Sequence, residues 1–162
     1  MTAPPTRRKR SYLDVLQLLR VIVRMADAHS AQAERTTGVP GAQLWALHEV
    51  VEHDGLTVGQ LAQRMRMHQT TISNLVGKLE QRGFVRKARS GEDQRVVHLH
   101  ASAAGRKVLN AAPAPRRGLL PHVLDDMTPE QLRKVHDGLA VLVDCMGGFD
   151  ASLAEKPLPF TE

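Results

Sequence analysis

Hydrophobic positions along this chain change their spacing several times, and each change predicts an element. From Tyr12 to about Arg35, Leu13, Leu16, Leu19, Val23 and Ala26 recur at helical spacing. Val15, Leu18, Ile22 and Met25 add a second stripe to the same helix. A helix apolar on more than one side is buried on more than one side. This helix is therefore expected to serve a subunit interface as well as a core. Gly38-Val39-Pro40-Gly41 breaks the pattern, and a second helix runs from about Gly41 to His53. Leu44, Leu47, Val50 and Val51 point inward, with Trp45 close to that stripe. Asp54-Gly55 signals a turn.

Thr57-Val58-Gly59-Gln60 then has the form of a capping box, in which Thr57 and Gln60 satisfy each other's backbone amides. Val58, Leu61, Ala62 and Met65 form the buried side of a third helix. A turn at Arg66-Met67-His68 leads to a fourth, about Gln69 to Arg82, ended by Gly83 as a residue of positive φ. Phe84–Ala88 and Arg95–His100 read as two short antiparallel strands joined by a polar, glycine-containing tip. Ser102 caps a fifth helix beginning at Ala103, and Pro113, Pro115 and Pro121 break or kink the segment beyond it. Thr128-Pro129-Glu130-Gln131 starts a sixth helix that runs to about Met146, where Gly147-Gly148 stops it.

The predicted fold is mainly α with a small β-hairpin. It is a winged helix-turn-helix with N- and C-terminal dimerisation helices. Residues 1–10 are expected to be a mobile basic arm, 11–55 the first two helices, 56–100 the winged lobe, 101–149 the last two helices, and 150–162 a loose tail.

The fourth helix carries the most specific chemistry. Ile72, Leu75, Val76 and Leu79 share its inner face. The opposite side is Thr70, Asn74, Gly77 and Gln81, flanked by Ser73 and Lys78; Gln69, Thr70, Thr71, Ser73, Asn74, Gly77 and Lys78 are the candidate contacts. A solvated helix face is usually rich in Glu and Lys. Small hydroxyl and amide groups instead suit close approach to base edges and phosphates. Gly77 costs about 1 kcal/mol of helix stability relative to Ala, so a contact or packing reason for it is expected. The hairpin presents Arg86, Lys87, Arg89 and Arg95 against Glu92 and Asp93. Arginines on a projecting hairpin can reach a minor groove.

Composition agrees with that reading. Lys and Arg exceed Asp and Glu by 22 to 17, and the isoelectric point is near 9.9. A basic surplus favours an anionic partner. With one cysteine, Cys145, an intramolecular disulfide and a multi-cysteine metal knuckle are both excluded. No apolar run approaches the ~20 residues that span a bilayer. The stretch after the first cations is punctuated by Asp14, Gln17 and Arg20, unlike a signal peptide, so the expected location is the cytoplasm. No nucleophile elbow, phosphate loop or HExxH is present, which argues against an enzyme. Eight histidines include the pairs His98/His100 and His48/His53, but neither pair has a third ligand nearby in sequence, so neither metal nor cofactor is expected.

From Val39 to Gly105 the sequence resembles the MarR (multiple antibiotic resistance regulator) family of winged-helix transcription factors. The resemblance rests on Gln43-Leu44-Trp45-Ala46-Leu47, Leu56-Thr57-Val58-Gly59-Gln60-Leu61-Ala62 and Thr70-Thr71-Ile72-Ser73-Asn74-Leu75-Val76. It continues through Leu79-Glu80-Gln81-Arg82-Gly83-Phe84-Val85, Asp93-Gln94-Arg95 and Ala104-Gly105-Arg106. It implies a homodimer built from the terminal helices, reading a pseudo-palindromic site in double-stranded DNA. It also implies the fourth helix in the major groove and the wing in the minor groove, with Arg95 touching DNA and Asp93 orienting it. Most members are repressors released by small anionic or phenolic compounds or by oxidation.

The chain departs from the family where Ala101-Ser102 replaces Leu-Thr and where Pro113 and Pro115 interrupt the fifth helix. It also lacks a cysteine in the first helix, and Cys145, on an apolar helical face, is expected to be buried packing. Arg20, Arg24, Trp45 and His48 are candidate effector ligands, the arginines for a carboxylate and the indole for an aromatic ring. The alternative reading is a winged-helix dimer acting as a protein-interaction module or as a ligand-independent regulator.

Overall fold

The computed structural model describes residues 11–89 and 96–161. The N-terminal arm with Arg7–Arg10, and Asp93 and Arg95 in the wing, lie outside the described residues.

Helix α1 spans Tyr12–Thr37. Ser11 and Asp14 form a capping box at its start, and Gly38 ends it in the left-handed region. Helix α2 lies next at Gly41–Glu52. Strand β1, Leu56–Thr57, leads into α3, Val58–Met65, through the predicted Thr57–Gln60 capping box. Helix α4 covers Gln69–Gln81, and Gly83, with φ +72°, reverses the chain into β2, Val85–Arg89. Strand β3 is Val97–Ala101. Helix α5 is Ala103–Ala111, α6 is Leu119–Asp125, and α7 is Pro129–Cys145 with the predicted Thr128 cap. A short α8, Ala151–Ala154, and a 3-10 turn at Pro159–Thr161 complete the described chain.

The hairpin is one strand larger than the sequence suggested. Its order is β1-β3-β2, all antiparallel, with Leu56 opposite Leu99 and Val85 opposite Ala101. Leu56-Thr57 was expected only to open the third helix. Two residues are too few for a period-2 signal, but pairing with β3 recruits them. The helix–strand junctions otherwise fall within a residue or two of expectation.

The core lies under the helix-turn-helix. Leu44, Leu47, Leu61, Ile72, Leu79 and Leu99 are fully buried there. Helix α5 reaches it at close range. A Cβ on Gly105 would stand 2.2 Å from the Phe84 carbonyl oxygen, so only glycine allows this approach. Ser102 fixes the same corner, donating to the Gly83 carbonyl (2.6 Å) while its amide donates to Phe84 (2.9 Å).

The terminal helices are different. In α1 only Ala26, Ser30 and Ala33 are buried, and in α7 no residue is. Leu13, Leu18, Val21 and Met25 on α1, and Leu139, Val141 and Met146 on α7, are exposed in the single chain. Exposed apolar side chains in this number make these two helices candidates for an interaction face. Cys145 is exposed with them, which corrects its expected burial: the apolar face it belongs to has no cover within its own chain.

Two further expectations are corrected. The segment after Pro113 contains α6, with Pro121 in its first turn, where a missing N–H breaks no helical bond. Residues 150–161 are not a loose tail. Asp150 caps α8 through the Ser152 amide (2.8 Å), and the 3-10 turn packs on α1 and α2. Its apolar Leu158 and Phe160 had no helical or strand period to announce them. Among the described residues, no helix is long and apolar enough to cross a membrane.

Candidate nucleic-acid interface and adjoining cavity

Helix α4 is held by its inner face, where Ile72, Val76 and Leu79 have no accessible surface and Leu75 very little. That anchoring turns Gln69, Thr70, Ser73, Asn74 and Lys78 outward, all exposed, with Thr71 and Gly77 half-buried. All seven residues predicted from the sequence thus lie on or beside one open face. A Cβ on Gly77 would meet no atom within 4 Å. Its absence is therefore not required by packing within this chain, and the smoothness it gives the face is available to something outside it.

The wing cations divide between the two faces of the sheet. Alternation puts Val85, Lys87 and Arg89 on one face and Arg86 and Ala88 on the other. Lys87 Nζ lies 2.7 Å from Glu80 on α4, so it braces the hairpin against the helix and its charge is already paired. Arg86 stands opposite His100. The His100 Nδ1 is 2.9 Å from Asp54, and Arg106 is 3.9 Å from the same carboxylate. The hydrogen bond from His100 and the nearby cations hold the Asp54 carboxyl below its usual range. His98 donates to the Gly55 carbonyl (2.8 Å). Both strand histidines therefore tie the Asp54-Gly55 turn to β3, and among the described residues no group of three metal-ligating side chains assembles.

Polar struts join this lobe to its neighbours. Arg64 on α3 meets Glu49 on α2 at 2.7 Å, and Glu49 also accepts from Trp45 Nε1 at 3.3 Å. Arg64 further contacts His53. At the other end of α4, Arg82 donates to the Gly38 carbonyl and covers the Phe84 ring.

Between α1, α2 and the α3–α4 turn lies a cavity of about 270 Å³. Ala26, Leu44 and Met65 contribute apolar wall, the Pro113–Pro121 connection closes one side, and Leu158 and Phe160 close another. His29, Arg66, Arg116, Arg117 and Lys156 bring polar or cationic groups to it. His29 also donates to the Pro115 carbonyl (3.1 Å), pinning the proline connection to α1. Arg66 ends α3 with φ +49°, the only non-glycine in the left-handed region among the described residues. It borders this cavity and a more open depression beside Trp45 and Glu49.

Of the four effector candidates, only Trp45 lines the cavity. Arg20 and Arg24 are exposed. Ala26 faces inward, and residues two and six positions earlier sit about 200° and 240° around the helix from it. His48 is half-buried on α2 without lining the cavity. Burial lowers its imidazole pKa from the ordinary 6.5, Arg117 and Arg116 lower it further, and Glu49 and Glu52 oppose them. The cations that do reach the cavity were missed. Arg116-Arg117 beside two prolines was the available signal; the left-handed turn that places Arg66 had none.

The sequence profile of the MarR family matches residues 37–96. The HTH-type transcriptional repressor MdtR of Bacillus subtilis (strain 168) is 23% identical over 119 residues, covering 74% of this chain and 77% of that protein. Among solved structures, the S. aureus MepR–DNA complex aligns with a TM-score of 0.58 at 18% identity, over 85% of this chain and 99% of that one. Sco3205, a MarR family transcriptional regulator from Streptomyces coelicolor in complex with DNA, aligns with a TM-score of 0.57 at 22% identity, over 86% and 91%. These structural likenesses are likenesses of fold.

Proposed function

Taking as premise that the chain belongs to the MarR family of winged-helix, DNA-binding transcriptional regulators, we propose that it acts as a homodimeric repressor of a pseudo-palindromic operator. It is a regulator, not an enzyme.

One observation carries the DNA-reading assignment: the open face of α4, with short polar side chains around Gly77 and nothing of its own chain against that glycine. Gln69, Thr70, Thr71, Ser73, Asn74 and Lys78 would meet base edges and phosphates of the major groove. Arg86, Arg89 and Arg95 would track the minor groove, with Asp93 orienting Arg95 by resemblance and Lys87 supporting the hairpin. The exposed apolar faces of α1 and α7 support the dimer, and a two-fold dimer suits a two-fold site.

The effector site of this reading is the cavity beside Trp45. Its apolar walls and its cations, Arg116 and Arg117 among them, suit a small aromatic or anionic compound. Its border on the α3–α4 turn gives such a compound a route to the reading helix.

Anisotropy titration of the promoter region beside its own coding sequence tests the assignment. Binding should weaken steeply between low and moderate salt, because phosphate contacts release counterions. Asn74→Ala should weaken it further. Affinity indifferent to both changes would remove α4 from the interface. Titration with aromatic carboxylates should change the emission of Trp45, the only tryptophan, and lower DNA affinity together.

A further inference from the structure

The C-terminal segment touches both the start of α4 and the cavity. At one end, the Glu155 carbonyl accepts from the His68 amide (3.2 Å), and its carboxylate lies 2.9 Å from His68 Nδ1. His68 is the N-cap of α4 and has no side-chain capping bond of its own. At the other end, Lys156, Leu158 and Phe160 line the cavity, and the 3-10 turn rests on α1 and α2. A Cβ on Gly41 would stand 3.4 Å from Thr161 Cβ, so this seating is close.

The free amides and dipole of a helix N-terminus favour an anion. On a helix that reads DNA, the natural anion there is a phosphate. Glu155 brings a carboxylate of this chain to the same end of the same helix. We infer that residues 155–161 are an intramolecular competitor of DNA: docked, they hold the Glu155 carboxylate against the N-cap of α4 and repel the phosphate that would approach it. The segment also walls the cavity. A compound filling that cavity contacts the docked segment and stabilises it, and so shifts the protein toward the state with lower DNA affinity. This inference rests on the DNA-reading and cavity assignments above and supplies a second link between them, besides the α3–α4 turn.

Glu155→Gln keeps the size of the side chain and removes its charge at a half-exposed position, so the fold should be unaffected. Its affinity for a mixed-sequence duplex at low salt should exceed that of the unaltered protein by about two- to five-fold, and the gain should shrink as salt is added. Equal or weaker binding by Glu155→Gln, with the unaltered protein binding normally, would overturn the competitor while leaving DNA reading intact. Absence of binding by both proteins would instead sink the DNA assignment and the competitor with it. A second measurement needs no DNA. Ending the chain after Gly148 should accelerate hydrogen exchange at the His68 amide, whose described acceptor is Glu155; unchanged exchange there would show that the segment does not dock.

Discussion

Arg82 Nη1 donates to the Gly38 carbonyl across 2.8 Å, joining the C-cap of α4 to the residue that ends α1. The same guanidinium stands 4.9 Å above the Phe84 ring. The bond spans 44 positions of sequence and links the helix assigned to DNA with the helix whose N-terminal half carries exposed apolar side chains. It ties the end of α4 to the end of α1. Arg82→Ala should cost about 1 kcal/mol of stability, for one exposed hydrogen bond and an exposed cation–π contact. It should cost more in operator binding than in binding to a single half-site, since the proposed dimer has to place both lobes at one spacing. Urea denaturation and anisotropy on full and half operators measure the two effects. An equal loss on both duplexes would confine Arg82 to a local role.

Gly77 should separate stability from recognition. Nothing in the chain opposes a Cβ there, so Gly77→Ala should stabilise α4 by about 1 kcal/mol through helix propensity. If the face must approach base edges closely, the same methyl should weaken DNA binding. A protein with a higher denaturation midpoint and lower operator affinity is the expected outcome. Unchanged affinity would mean that the reading face does not come near position 77.

Gly105 is the opposite case. A methyl there would sit 2.2 Å from the Phe84 carbonyl oxygen and 3.2 Å from a Leu47 methyl. Backbone must therefore shift. Gly105→Ala should cost about 1–3 kcal/mol, the usual range for forced overpacking. The Gly83–Phe84 corner should loosen with it, visible as faster exchange of the Ser102 amide. An unaltered urea midpoint would contradict the close approach.

Much of this was legible because it depends on local rules. The capping boxes at Thr57 and Thr128, the Gly83 reversal and the inner stripe of α4 each occupy a few consecutive positions, and the fold keeps them. The features that escaped depend on distant pairing. Strand β1 exists because Leu56 meets Leu99, and the ordered C-terminal segment exists because α1 and α2 leave a place for it. Of the four effector candidates read from the sequence, the cavity wall includes Trp45 and neither arginine. Helical periodicity shows which residues share a face of α1, yet not that the connection after Pro113 folds over α2 and brings Arg116 and Arg117 there.

The exposed apolar faces of α1 and α7 predict that association can be broken without unfolding the lobe. Leu18 is 64% exposed and Val141 63% exposed in the single chain. Leu18→Glu with Val141→Glu would place charge within the proposed interface, where desolvation without a partner is unfavourable. Sedimentation should change from dimer to monomer, and operator binding should lose its two-site strength. A dimer that persists with both substitutions would move the interface elsewhere.

His48 makes stability depend on pH in a definite direction. Burial lowers its folded pKa below 6.5, with Arg117 and Arg116 adding to the effect against Glu49 and Glu52. Its Nδ1 is buried without a hydrogen-bond partner among the described residues, so a proton gained there meets an environment that disfavours charge. Above the unfolded value, near 6.5, both states hold the ring neutral and the full stability is present. As pH falls below that value the unfolded chain takes up the proton first, so stability declines until the lower folded pKa has been passed. The chain has seven other histidines, so the informative quantity is a difference between proteins. Melting temperature measured from pH about 8 to about 5 should fall less for His48→Gln than for the unaltered chain. Parallel curves would show that the His48 imidazole is no harder to protonate in the folded protein than in the unfolded one.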